Sequence, residues 1–339
     1  MDFNTILIAL ISTLSSLILI FVLRSLDIYE KEPYKLIFLN FIFGIIAYLT
    51  SGIISSIIFR SLNFNAIAMQ SNNIFIFFSV IITAMIMLLS QLIFSYLSTN
   101  YFNKDFDSMP DYLIYFSTIG IGFNCGEIFF FGLLNKTDNP LLLKLSDSLY
   151  FSSFFTGSTM PFLLSSIGAG IYLLKISKIK NHKNLSYFSI SLISLAILTQ
   201  IIFYSMNYFF IVYTSFINSD YLNLFKEIKN FANNLSITLL IASITFAVLF
   251  DCYIVTIFLE KIANSDENNS FQFKDFIYFI NPFSYLPISN LSKFLNLQNS
   301  SSKLSEKDTK TFIKLALKDF NESGDSSIYI SEAVKILSK

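Results

Sequence analysis

Seven long apolar runs constrain this chain more than any other feature. They span roughly 5–23, 36–58, 74–97, 112–134, 150–174, 188–213 and 234–259. A helix needs about 20 apolar residues to cross the hydrocarbon of a bilayer. Each run is of that order, and each is continuous rather than alternating, which excludes a transmembrane β-barrel. Composition agrees. Of the 339 residues 54% are hydrophobic and 14% charged, against roughly 25% charged in a soluble domain. The sequence therefore predicts an all-α, polytopic membrane helix bundle of about seven transmembrane helices over 1–263. A cytoplasmic tail of interfacial and short amphipathic helices follows over 264–339.

The first run lacks a positive n-region, has no small-x-small cleavage site and is followed at once by Arg24. It reads as a retained helix rather than a signal peptide. Lysine and arginine in short loops set orientation. The loop 175–185 carries Lys175, Lys178, Lys180 and Lys183, so it is placed in the cytoplasm. Seven spans then leave the N-terminus outside and the tail inside. Eight basic residues fall in the inner loops and five (Arg60, Lys136, Lys144, Lys226, Lys229) in the outer ones. The expected location is the bacterial cytoplasmic membrane.

In the tail, Asn299-Ser300-Ser301-Ser302 reads as a linker. Short amphipathic helices are predicted near 304–320 and 328–338, separated by Ser323-Gly324-Asp325. Residues 271–286 have the aromatic pattern of a segment lying at the membrane surface. No internal repeat is visible.

Lys plus Arg equals Asp plus Glu, 23 each, and nucleic-acid binding needs a basic face; no nucleic-acid partner is expected. The single histidine, His182, sits in a lysine-rich loop and is given no role. Cys125 and Cys252 lie in apolar runs and form no disulfide framework. Metal sites usually require three or four protein donors with suitable spacing, so neither a metal nor another cofactor is expected.

An ionisable group inside a span is costly and marks a candidate site. Glu127 in the fourth run and Asp251 in the seventh qualify, accompanied by Gln91, Asn124, Gln200 and Asn207. Asp251 stands near the inner end of its run, within reach of water. The fourth run holds Gly120, Gly122, Gly126 and Gly132, four of the chain's ten glycines. Gly122 and Gly126 form a GxxxG pair, which lets a neighbouring backbone come close. This helix is expected at the centre of the bundle. For Glu127 two readings stand open: a reactive or binding carboxyl, or a protonated packing group bonded to a carbonyl or to Asn207.

Three further stretches bear on function. The first is Asp27-Ile28-Tyr29-Glu30-Lys31-Glu32-Pro33, followed by a run containing Gly44. The second is Phe106-Asp107-Ser108-Met109-Pro110-Asp111-Tyr112, leading to Tyr115. The third is Gly120-Ile121-Gly122-Phe123, with Glu127 after it. In order and spacing they resemble the PrsW family of bacterial intramembrane proteases, over roughly residues 20–215. Tyr112 stands where the family has glycine, and Ile128 where it has asparagine. The family's E-E-x-x-K motif should fall near Leu88, Leu89 and Leu92, where this chain reads Met87-Leu88-Leu89-Ser90-Gln91-Leu92. The family's later histidines are missing from Ser158–Gly168 and from Phe203–Asn207. Of the acids and histidines the resemblance implies, Glu127 remains.

Peptide hydrolysis needs a group that activates water and a partner or metal that polarises the carbonyl. The resemblance with these losses implies a catalytically inactive scaffold. Glu127 is the candidate catalytic residue, and Asp111, Asn124 and Asn207 are the candidate binding residues. The partners are membrane lipid and a transmembrane helix of another membrane protein. One alternative is an active protease with a rearranged acidic site, Glu127 working with Asp251 or Asp111. A second is a transporter or channel with Glu127 and Asp251 along an ion path.

Overall fold

The computed structural model describes residues 14, 17, 18, 20, 21, 24, 32–61, 73–102, 106, 108–134, 159–179, 183–213, 219–265, 305–322 and 327–337. These residues form eight helices and no strand: α1 (Tyr34–Ser61), α2 (Asn73–Tyr101), α3 (Met109–Leu134), α4 (Thr159–Ile179), α5 (Lys183–Tyr213), α6 (Ser219–Ser265), α7 (Glu306–Glu322) and α8 (Ser327–Leu337). The all-helical class predicted from the apolar runs holds. Four of the described helices are long and apolar enough to cross a membrane: Tyr34–Ile58, Val80–Tyr101, Lys183–Ser205 and Asn234–Ile262. Most of the first predicted span, the start of the fifth, His182, the linker 299–302 and the segment 271–286 lie outside the described residues.

Helices α3 and α4 form the inner pair. Every residue of α3 from 111 to 123 is buried, as is every residue of α4 from 163 to 170. A helix buried on all sides needs no lipid-compatible face, and α3 carries Ser117, Thr118, Gly120 and Gly122 while α4 carries Ser165, Ser166, Gly168 and Gly170. Ser117 and Thr118 return their hydroxyls to the carbonyls of Leu113 and Ile114 at 2.5 and 2.7 Å, so their polarity is met within the helix. The four apolar helices α1, α2, α5 and α6 each turn one face outward, with Phe38, Ile53, Leu89, Ile93, Leu198 and Ile241 exposed.

The α1–α3 contact is made by backbone. A Cβ on Gly44 would run into the carbonyl oxygen of Ile119, and one on Gly122 into that of Phe41. Gly126 stands against the Cβ of Tyr48, 3.3 Å from where its own would be. The GxxxG pair therefore works as the sequence predicts, with Gly44 as its counterpart on α1. A second close approach joins α3 and α4, where Gly168 would place a Cβ 2.5 Å from the Tyr112 carbonyl oxygen.

The predicted boundary between spans six and seven differs from the structure. Lys226 and Lys229, expected in an outer loop, lie on α6, a single helix of 47 residues. No glycine or proline interrupts residues 219–265, so nothing local breaks the hydrogen-bond ladder.

The two predicted tail helices appear as α7 and α8, and both dock on the bundle. Ser305 and Asp308 cap α7 reciprocally: the Asp308 amide donates to Ser305 Oγ at 3.1 Å, and that hydroxyl donates to Asp308 Oδ2 at 2.7 Å. Ser305 thus caps the first turn of α7, with the Asp308 carboxylate held by the Ser305 hydroxyl. The apolar stripe of α7 packs on α6. Phe312 meets Phe258 at 5.6 Å between ring centroids, and Phe320 meets Phe250 at 5.8 Å. Lys261 and Asp319 form an ion pair at 2.8 Å.

Candidate functional site

Polar side chains gather at two levels. The first is at the α3 N-terminus. Ser108 precedes that helix, and its amide donates to Asp111 Oδ2 at 2.6 Å while the Asp111 amide donates to Ser108 Oγ at 3.4 Å. Asp111, a candidate binding residue from the sequence, thus has a structural duty as a helix-capping acid; it is 3% exposed. One turn on, the Tyr115 hydroxyl donates to the Glu32 carboxylate. The Arg24 guanidinium donates to the Glu32 carbonyl at 2.7 Å and lies 3.7 Å above the Tyr34 ring. Rings continue this level across the bundle: Tyr115, Phe106, Tyr112, Tyr172 and Phe250 stand 4.7, 4.8, 5.5 and 6.2 Å apart in turn. Asp251, next to Phe250 and 4% exposed, therefore belongs to the Asp111 end.

The second level lies deeper along α3. Glu127 is buried, four residues after Phe123. The Phe123 ring packs edge-on against Tyr48 of α1 at 5.3 Å and against Tyr204 of α5 at 6.1 Å. The same two tyrosines lie within electrostatic reach of the Glu127 carboxyl. Tyr204 is also tied to a buried amide chain. Gln91 Nε2 of α2 donates to the Tyr204 hydroxyl at 2.6 Å, and Gln200 Nε2 donates to Gln91 Oε1. Helices α2 and α5 thus meet through neutral hydrogen-bonding groups, with Tyr48 of α1 beside them and α3 supplying the acid. A third polar link, Ser98 hydroxyl to Asn40 Oδ1, joins α2 to α1.

The remaining sequence candidates are placed as follows. Asn124 is half-buried on α3 and Cys125 is half-buried beside it. Asn207 lies on α5 and Cys252 on α6, with their side chains outside the described residues. No group of three or more His, Cys, Asp or Glu side chains able to hold a metal occurs among the described residues. Asp111 precedes Glu127 by sixteen residues on one unbroken helix. At 1.5 Å per residue that is about 24 Å, so these two cannot form one acid–base pair. The ring series puts Asp251 at the Asp111 end as well.

Tyr48 and Tyr204 are the residues that sequence reasoning missed. A signal existed for the second: Gln200 and Tyr204 are four apart, hence on one helical face. Chemically, a carboxyl bordered by phenols and amides can donate, accept and hold a proton. Asp111 and Asp251, the acids that the sequence offered as its pair, stand at the other end of α3 and cannot separate acid from base with it.

No protein-family model, curated protein or solved structure matches the chain.

Proposed function

We propose that this is a seven-span membrane protein of PrsW-like build that binds a transmembrane helix and does not hydrolyse peptide bonds. The observation that carries this reading is the neutral polar cluster beside Glu127: Tyr48 and Tyr204 lie within electrostatic reach of its carboxyl, and Tyr204 is tied to Gln91 and Gln200. Neutral hydrogen bonds fit recognition and packing between helices, and the positions where the resemblance implies the E-E-x-x-K acids hold Leu88, Leu89 and Leu92.

The PrsW resemblance gains support from where its three stretches meet. Glu32 of the first touches Tyr115 of the second, and Gly44 faces the Ile119–Phe123 backbone of the third. Apolar side chains facing outward on α1, α2, α5 and α6 suit lipid and a partner helix alike.

The proposed topology puts the N-terminus outside and the tail in the cytoplasm. Helix α6 is about 70 Å long at 1.5 Å per residue, more than twice the roughly 30 Å hydrocarbon thickness. The charged helix α7 packs along α6 between Phe250 and Lys261. Lysines at that level need water, so the crossing segment of α6 ends near Phe250 and Asp251 lies at the cytoplasmic boundary.

The test is reconstitution in proteoliposomes with single-span reporter substrates and photo-crosslinking residues on α1 and α5. The expected result is a cross-linked helix and no cleavage. Cleavage that disappears in Glu127→Gln would defeat the proposal. Cysteine labelling from either side checks the topology.

A further inference from the structure

We propose that the interior between α1, α2 and α5 is a hydrated polar column that leads water from the Asp111 end of the bundle to the Glu127 carboxyl and is closed on its far side. This goes beyond the proposed function, because water reaches Glu127 with or without a partner helix.

The last ten residues of α2 carry the inference. From Gln91 to Tyr101 the buried residues are Gln91, Ser95 and Ser98, all polar, while Ile93, Tyr96 and Leu97 are exposed. Steps of four and three residues put the polar three on one helical face. A membrane helix that turns polar groups inward and apolar ones outward lines a polar interior. Both ends of the stripe are tied to a neighbour. The Ser98 hydroxyl donates to Asn40 Oδ1 of α1, and Gln91 Nε2 donates to the Tyr204 hydroxyl of α5 at 2.6 Å.

Helix α1 gives the column its direction. It runs alongside α3, with Glu32 at Tyr115, Gly44 at Ile119 and Tyr48 at Gly126. Asn40, and Ser98 with it, therefore stands on the Asp111 side of the Glu127 level. Beyond Gln91 the same face of α2 turns apolar. Ala84 and Met87 pack there with Ala47, Phe123 and Phe203, and this layer closes the column on the side away from Ser98.

Ser95, midway, shows what fills the line. It is 1% exposed, and its hydroxyl meets no hydrogen-bond partner among the described residues. Ser90 on the same helix and Ser51 on α1 return theirs to the Met87 and Tyr48 carbonyls at 2.8 and 2.6 Å. A buried hydroxyl between other polar groups is where a protein holds water. Gln91 and Ser95 are about 6 Å apart along the axis, and Ser95 and Ser98 about 4.5 Å. Two ordinary hydrogen bonds through one water span about 5.5 Å, so one molecule per interval completes the line. At the deep end Gln91 orients the Tyr204 hydroxyl and accepts from Gln200 on its Oε1. A proton entering as hydronium moves by exchange: each oxygen takes one and releases one, the last binds a Glu127 carboxylate oxygen, and neutral water stays at the entrance.

The experiment uses the full chain in nanodiscs, with Cys125→Ser and Cys252→Ser as background and one cysteine added at a time. The probe is silver ion, which is close to water in size and reacts with thiols it reaches through water. Thiols still free are counted with a maleimide after denaturation. Ser98→Cys should react fastest and Ser95→Cys next. Ala84→Cys should react at least about tenfold more slowly than Ser95→Cys, a barrier difference of about 1.4 kcal/mol. Glu127→Cys should react too, and Ser95→Val in the same chain should slow it about tenfold, while Ser95→Ala should not. Ser95→Cys as slow as Ala84→Cys overturns the column. Ser95→Cys faster than Ser98→Cys overturns its direction. Glu127→Cys indifferent to Ser95→Val overturns the route to the carboxyl. The first comparison exchanges single atoms at 95 and 98, so it stands even if Ser95→Val unsettles the bundle.

Discussion

The α1–α3 contact and the α6–α7 contact join helices by opposite means. In the first, Gly44 and Gly122 bring each helix against the other's carbonyl oxygens, with no side chain between. In the second, rings stand 5.6 and 5.8 Å apart at their centroids, and a lysine that is 43% exposed reaches over to Asp319. Lipid tails are as apolar as leucine, so helices inside a membrane gain little by hiding apolar side chains from them. Close backbone approach and interhelical hydrogen bonds take over. In water the usual hydrophobic gain returns, and an amphipathic stripe is enough. On the proposed topology the first contact lies in the membrane and the second in water, and the difference teaches how easily each one opens.

The largest expected effect sits in the first contact. Gly122→Ala or Gly44→Ala forces a methyl group into a carbonyl oxygen and should destabilise the bundle by about 3 kcal/mol, read by unfolding in mixed micelles. Gly52 is the internal control. Nothing lies within 4 Å of the Cβ it would carry, so Gly52→Ala should be neutral or stabilise by about 0.5 kcal/mol. Equal losses at Gly52 and Gly122 would break the comparison.

Next comes Phe312→Ala. A fully buried phenylalanine costs about 3–5 kcal/mol on truncation in a core. Here that loss falls on docking. Limited proteolysis should cut the tail rapidly while the bundle's melting transition stays in place. If the bundle melts with it, the two regions form one cooperative unit.

Tyr204→Phe should cost less. It removes the hydroxyl that accepts from Gln91, and a hydrogen bond between membrane helices averages about 0.6 kcal/mol. A loss several times larger would mean that the amide chain organises the bundle and does more than decorate it.

The smallest effect is on pH dependence and confined to the tail. Lys318 is held above the ordinary lysine value by its hydrogen bond to Tyr329 and the charges near it. Because the pKa is raised on folding, the stabilisation is complete below the unfolded lysine value and is lost as pH rises through the raised one. Amide exchange in α8 should quicken in that alkaline window, and Lys318→Gln should abolish the dependence.

The sequence was most readable where one residue type meets one physical demand. The apolar runs announced helices. Gly122 and Gly126 announced a close backbone approach, and the polar–apolar alternation of 304–320 announced an amphipathic helix that the structure bounds at Glu306–Glu322. What stayed illegible depended on partners distant along the chain. Tyr48 and Tyr204 read as ordinary aromatic residues of apolar runs until α1 and α5 bring them to Glu127. Asp111 read as a binding group because its motif resembled one, while the Ser108 three residues before it was the sign of a helix cap. The continuity of α6 was missed for another reason: Lys226 and Lys229 have the polarity of a loop, yet lysine is a good helix former.

The unbroken course of α6 has a mechanical consequence. On the proposed topology a continuous helix of about 70 Å links the two sides of the bilayer through its backbone, with no relay of side chains. If it tilts by about 5° about one end, the other moves by roughly 6 Å, comparable to one helical pitch. On that topology a displacement near Ser219 reaches Lys261, where Asp319 of the tail is held.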